Sequence, residues 1–145
     1  MDFFTAMEVS ATGLNAERTR INVASSNLAN ANTTKTAAGG PYQRRNVILR
    51  SASPQGGISG AQAGDPSSEV SGVQVAGVQA DASAPRMEYD PNHPDANKDG
   101  YVAYPNVNPV EEMVDMITAS RAYQAGVTAL ESSVQLAERA LTIGK

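Results

Sequence analysis

With 145 residues, 5% aromatic side chains, no Trp and no Cys, the chain has material for one modest domain, little for a dense core, and none for disulfides or thiolate metal sites. A formal charge of −4 and a pI near 4.9, with no basic cluster larger than Arg44-Arg45, argue against a nucleic-acid surface or a basic membrane-binding helix. No apolar run reaches the roughly 18 residues of a bilayer span, so no direct membrane insertion is expected.

The first residues, Met1-Asp2-Phe3-Phe4, lack the basic and apolar regions of a cleavable Sec-type signal, so any export is expected to use another route. Residues 2 to about 30 are expected to form an amphipathic helix. Phe4, Met7, Ala11, Leu14, Arg18, Ile21, Ser25 and Leu28 follow alternating spacings of three and four, although Arg18 and Ser25 interrupt the stripe. Gly13 costs about 1 kcal/mol relative to Ala, so this helix needs packing to be ordered. Asn30 or Asn32 offers a left-handed C-cap, and the chain then loops through Gly39-Gly40-Pro41.

Tyr42 to Leu49 reads as a strand with Val47 and Leu49 on one face. Ser51 to Ser68, rich in Ser, Gly, Ala and Gln, reads as a flexible loop. Val70 to Val78 is a second expected strand, which Gly72 and Gly77 would interrupt or bulge, and Arg86 to Tyr89 a short third. Pro91, Pro94, Pro105 and Pro109 lead to the expectation of an extended connector without regular structure between Tyr89 and the last helix.

That last helix is the strongest signal. Asn108 is a good N-cap, Pro109 suits the first helical position, and Glu111 stands where a capping-box carboxylate would reach back. From Val110 to Ile143 there is no proline, and the one glycine is Gly126, expected to mark a close approach. Met113, Met116, Ser120, Tyr123, Val127, Leu130, Val134, Ala137 and Leu141 form a heptad seam. Val114, Ile117, Leu136 and Ala140 lie off it, so the helix is sticky on more than one side, as suits assembly into a larger helical array. The expected architecture is mainly α with a small β-rich middle. Long amphipathic terminal helices in coiled-coil-like packing are joined by strands and extended loops. The divisions are residues 1–34, a helix with an Asn-rich cap; 35–107, the middle with flexible 51–68; and 108–145, the long helix.

Chemistry is sparse. Asp95-Ala96-Asn97-Lys98-Asp99-Gly100 matches the start of an EF-hand loop, but Asn106 stands where the bidentate Glu belongs and prolines replace the flanking helices. An Asx-rich turn with positive φ at Gly100 is the simpler reading. His93, the lone histidine, has no nucleophile motif beside it and suits a turn, while Glu111-Glu112 complement the positive end of the last helix. No catalytic, cofactor-binding or metal residues are assigned.

Two stretches carry a resemblance. Ser10 to Ala16 and Arg18 to Thr33, through Asn22-Val23-Ala24-Ser25-Ser26-Asn27-Leu28-Ala29-Asn30-Ala31-Asn32-Thr33, resemble the N-terminal signature of bacterial flagellar axial proteins, with Ser26 where a further Asn is common. Tyr89-Asp90-Pro91-Asn92-His93-Pro94-Asp95, Gly100-Tyr101-Val102 and Pro105 to Met113 look like the narrower family of basal-body rod protein C. The resemblance implies a non-enzymatic subunit of the proximal rod, within the drive shaft that crosses the periplasm. Its terminal helices would pack into a helical tube that transmits torque. The implied partners are other rod proteins, copies of the same chain and, during export without cleavage, the flagellar type III apparatus. Subunit contacts are expected from Leu14, Ile21, Leu28, Asn30 and Asn32 of the first helix. From the last they are expected from Met113, Met116, Tyr123, Val127, Leu130, Val134 and Leu141. The alternatives are a helical adaptor for a single partner and a calcium-responsive module on Asp95 to Gly100.

Overall fold

A computed structural model describes residues 3–52 and 71–143. The expected flexible stretch 51–68 therefore lies almost wholly outside the described residues. Two long helices bracket four short strands: α1 (Phe3–Ala29), β1 (Arg45–Ala52), β2 (Gly72–Ala80), β3 (Arg86–Tyr89), β4 (Tyr101–Tyr104) and α2 (Pro109–Ile143). At 1.5 Å per residue the helices are about 40 and 50 Å long. They run antiparallel, since Asn27 near the end of α1 meets Glu112 at the start of α2, while Leu14 meets Gly126 further along. Among the described residues no helix is long and apolar enough to cross a membrane.

In α1 two hydroxyls that would compete with the helix are satisfied within it: Ser10 Oγ donates to the Ala6 carbonyl at 2.8 Å and Thr19 Oγ1 to that of Asn15 at 2.9 Å. The buried stripe of α1 differs from the expected one. Phe4, Ala11, Arg18 and Ser25 are exposed, and the residues turned inward are Ala16, Ala24 and Asn27, continued by Ala31 beyond the helix. Of the expected stripe, Met7, Leu14, Ile21 and Leu28 are partly buried, and Leu14 meets Gly126 of α2. The distance between helix axes is set by the side chains at the contact, and at Gly126 of α2, which meets Leu14 of α1, the absence of a side chain permits a close approach. On α2 the expected seam holds from Met116 to Ala137, all partly buried, while Met113 and Leu141 at its two ends are exposed.

The expected helix stop also differs. No non-glycine residue among those described has positive φ, so neither Asn30 nor Asn32 makes a left-handed cap. Instead Asn30 Nδ2 donates to the Ser26 carbonyl at 2.8 Å, occupying with a side chain an acceptor at the helix end. At the other terminus the Asn108 cap forms as expected, with the Val110 N–H donating to Asn108 Oδ1 at 3.1 Å. Glu111 is exposed and makes no bond back to Asn108 among the described residues, so the capping box is not completed.

The middle contains four strands in two antiparallel pairs, not three strands. In the first pair Val47 faces Val78 and Leu49 faces Val75, with a bulge at Ala76 where the register shifts between Ile48 and Leu49. Gly77 beside it fits the expected interruption, while Gly72 simply opens β2. The Val73 N–H donates to Thr12 Oγ1 at 3.1 Å, tying β2 to α1. The second pair corrects the proline-rich connector: β4 occupies the gap between Pro94 and Pro105, pairs with β3, and buries Val102 completely. Prolines limit a strand only where they stand, and none falls between Tyr101 and Tyr104.

Candidate assembly surface

At the foot of the helical hairpin the chain from Thr33 to Arg45 crosses between the ends of α1 and α2, and a buried polar junction forms there. Asn27 is 1% exposed and uses all of its bonding capacity. Its Oδ1 accepts from the Tyr42 hydroxyl and from the Arg45 N–H, both at 2.9 Å. Its Nδ2 donates to the Arg45 carbonyl at 2.9 Å and to Glu112 Oε2 at 3.0 Å. Glu112, 2% exposed, accepts at its other oxygen from Arg44 Nε. That hydrogen bond raises Arg44 above its ordinary guanidinium range, with Asp115 a further carboxylate 3.7 Å away. Asn106 Oδ1 accepts from the Arg44 N–H at 3.0 Å, and Tyr42 packs with Ala31 and Val107. A buried carboxylate is tolerable only with such partners.

On the opposite side of α2 the first turns carry Val110, Met113, Val114 and Ile117, all exposed, with Val110 at 63%. Positions 110, 114 and 117 recur at helical spacing and form one outward apolar stripe. Beyond Ile117 that face turns polar at Arg121, Gln124 and Thr128. At the far end of the hairpin Phe4 is 80% exposed, and Leu136 and Leu141 are exposed as well. The β1–β2 pair adds exposed Ile48, Leu49, Val73 and Val78. A monomer that leaves so many large apolar side chains in water on four elements has surface suited to partners.

The residues expected as contacts divide into two groups. Leu14, Ile21, Leu28, Met116, Tyr123, Val127, Leu130 and Val134 are partly buried on the two helices. A Cβ on Gly126 would lie 2.8 Å from Leu14 Cδ2, so the expected close approach at this glycine is made to the chain's own first helix. Asn30 is engaged with Ser26 and with Thr33, whose Oγ1 donates to Asn30 Oδ1 at 3.2 Å. Met113, Leu141 and Asn32 are exposed. Sequence reasoning missed Glu112 as a buried anchor and assigned it only to the helix dipole. It also missed Asn27, Tyr42 and Arg44, whose partnership spans up to 85 positions and leaves no local pattern.

The EF-hand-like stretch is an Asx turn. Asn97 Oδ1 accepts from the Asp99 and Tyr101 N–H groups, both at 2.9 Å, and Gly100 has φ +80°. His93 Nδ1 accepts from the Asp95 N–H at 3.1 Å, and Asp95 Oδ2 accepts from Thr34 Oγ1 at 2.7 Å, so these groups hold the connector to the loop after α1.

Two family models match the chain: residues 7–35 fit "Flagella basal body rod protein", and residues 98–143 fit "Flagellar basal body rod FlgEFG protein C-terminal". Among curated proteins, the flagellar basal-body rod protein FlgC of Borreliella burgdorferi is 44% identical, over 99% of this chain and 98% of its own length. FlgC of Bacillus subtilis is 40% identical over the whole of both chains, and FlgC of Yersinia enterocolitica 34% over the whole of both.

Proposed function

The chain belongs to the FlgC family of flagellar basal-body rod proteins, and on that premise we propose that its surface apolar stripes are the contacts that build it into the rod. As a structural subunit of the basal-body rod it associates with other basal-body components. In the finer reading the terminal segments 1–34 and 108–145 form coiled-coil-like contacts with neighbouring rod subunits, including copies of this chain, in a tube that transmits torque. Segment 35–107 is the β-rich middle between them. The role is non-enzymatic, and delivery through the flagellar type III export apparatus without cleavage belongs to the same proposal.

One observation supports this most directly: α2 presents Val110, Val114 and Ile117 to solvent on the face opposite its own partner helix. Loops transmit shear poorly, whereas a packed helix moves as one body, and burying three branched side chains contributes roughly 1.5–3 kcal/mol each. The expected contact set extends to this stripe, with Met113 at its edge and Leu141 at the far tip. Leu14, Ile21, Leu28, Met116, Tyr123, Val127, Leu130 and Val134 act in part through the chain's own hairpin.

The test is the double variant Val114→Asp with Ile117→Asp, expressed in a motile host lacking its own copy. Both positions are exposed, so the purified variant should keep the circular dichroism of the native chain. It should nevertheless be absent from isolated basal bodies, and the cells should not swim. Normal incorporation and swimming would exclude the stripe as a rod contact.

A further inference from the structure

Phe4, Ala11 and Arg18 turn outward on α1, and with Glu8 and Asn15 they form an exposed row at alternating spacings of four and three. The outward side of α2 carries a row with the same alternation: Glu111, Val114, Thr118, Arg121 and Ala125, all exposed. Such spacing keeps each row on one side of its helix and is the period of a two-helix seam. Each row holds one acid and one base ten residues apart, Glu8 with Arg18 and Glu111 with Arg121. Among the described residues none of the four enters an ion pair, although Arg44 feels Glu111 as a coulombic attraction.

We propose that these rows meet between copies: α1 of one chain lies antiparallel on the outward side of α2 of a second copy, with Glu8 opposite Arg121 and Arg18 opposite Glu111. In that register Asn15 faces Val114, Ala11 faces Thr118 and Phe4 faces Ala125, so Phe4 and Val114, 80% and 57% exposed in the single chain, are both covered. Burial of these side chains supplies attraction, while the ion pairs, weak by themselves at a surface, set the register. The contact rests on the assembly reading above in one respect. Chains stacked along a common rod axis share polarity, so α1 of one and α2 of the next run antiparallel, as they do within the hairpin. A parallel seam would also match charges, Glu8 with Arg121 and Arg18 with Glu131, but it needs neighbours of opposite polarity. The two sides of the antiparallel contact are different surfaces, so it repeats from copy to copy instead of closing on a dimer. Measured against the hairpin's own pairing of Leu14 with Gly126, it sets the second copy back by about eleven residues, or about 16 Å along the helices.

The chain has no cysteine, so introduced cysteines report this contact directly. Asn15→Cys and Val114→Cys are combined in one full-length chain, expressed in a motile host lacking its own copy, and the isolated basal bodies are oxidised. Within one chain the two positions lie about 16 Å apart along the hairpin, too far for a disulfide. A thiol-sensitive ladder of dimers and higher multimers is expected, with none from either single variant. Asn15→Cys with Thr128→Cys, placed for the parallel seam, should give no ladder, and a ladder from that pair instead overturns the register. Basal bodies that contain the first variant but yield no ladder overturn the contact between copies. The stripe would still stand as a rod contact, since the Val114→Asp, Ile117→Asp variant tests that separately. Should the cysteine variant not assemble, charge reversal decides. Glu8→Arg and Arg121→Glu should each lower the amount of chain in basal bodies at least about tenfold, and together restore it. Absence of rescue overturns the proposal.

Discussion

At the scale of single residues, the junction concentrates what the local sequence pattern does not carry. Tyr42 is a buried aromatic whose hydroxyl donates to Asn27 Oδ1 at 2.9 Å and lies 3.5 Å from Ser26 Oγ, so Tyr42→Phe keeps the packing with Ala31 and Val107 and deletes one short hydrogen bond and one long one. We expect a loss of about 1 kcal/mol in urea denaturation with an unchanged denaturant slope. Gly100 poses a different constraint: its φ is +80°, and an added Cβ would stand 2.8 Å from Tyr89 Cε2 and 3.3 Å from Pro91 Cβ. Gly100→Ala therefore combines left-handed strain with a clash against a ring that is itself packed on Tyr101 at 5.3 Å. A loss of at least about 1 kcal/mol is expected by the same titration. The need for glycine there was legible, because Asn97, Asp99 and Gly100 are turn formers in the order an Asx turn uses. The partners of Asn27 were not. A sequence pattern ranks an asparagine near a helix end as a cap or a solvated turn residue, and says nothing of a carboxylate 85 positions away.

At the scale of elements, the two helices were legible in extent and the α2 seam in phase, because regular apolar spacing is a local property. The facing of α1 was legible in part: Leu14, Ile21 and Leu28 are partly buried, but its buried residues are Ala16, Ala24 and Asn27, which rank low on any hydrophobic count. The contact of Leu14 with Gly126 measures how closely the helices approach. Gly126→Ala should be nearly neutral, within about 1 kcal/mol, because better helix propensity offsets a clash with the movable end of a leucine. Gly126→Val should cost about 2 kcal/mol, as the second branch cannot be cleared by one methyl shift. In a Leu14→Ala background the clash disappears, so Gly126→Val should become markedly milder. Additive costs in that double-mutant cycle would show that the two positions do not touch. The seam and the outer stripe also separate by charge. Leu130→Asp puts a carboxylate on the partly buried side and should destabilise the hairpin by about 2 kcal/mol or more, reported by loss of helical dichroism. Val114→Asp on the exposed side should leave that signal unchanged.

At the scale of the whole molecule, support is unevenly distributed along the hairpin. Its foot combines the polar junction, the cluster of Ala31, Tyr42 and Val107, and the crossing chain from Thr33 to Arg45. Toward the tip, among the described residues, α1 and α2 alone remain, with Phe4 80% and Leu141 75% exposed. Continuing the register set by Asn27 with Glu112 and Leu14 with Gly126, the described start of α1 falls near Ala137. The last residues of α2 thus run past it. Two helices without a third layer bury little, so local opening at the tip costs far less than opening the foot. In the free chain, amide hydrogen exchange should therefore be slowest over Ala16–Ala31 and Glu112–Gly126. It should be at least about tenfold faster over Phe3–Val9 and Val134–Thr142. If neighbouring rod subunits complete the tip, the same peptides in isolated basal bodies should lose that gradient, because their exposed apolar residues then gain the layer the monomer lacks. Uniform protection in the free chain would mean that the hairpin is already complete alone, and the tip residues would have no need of a neighbour.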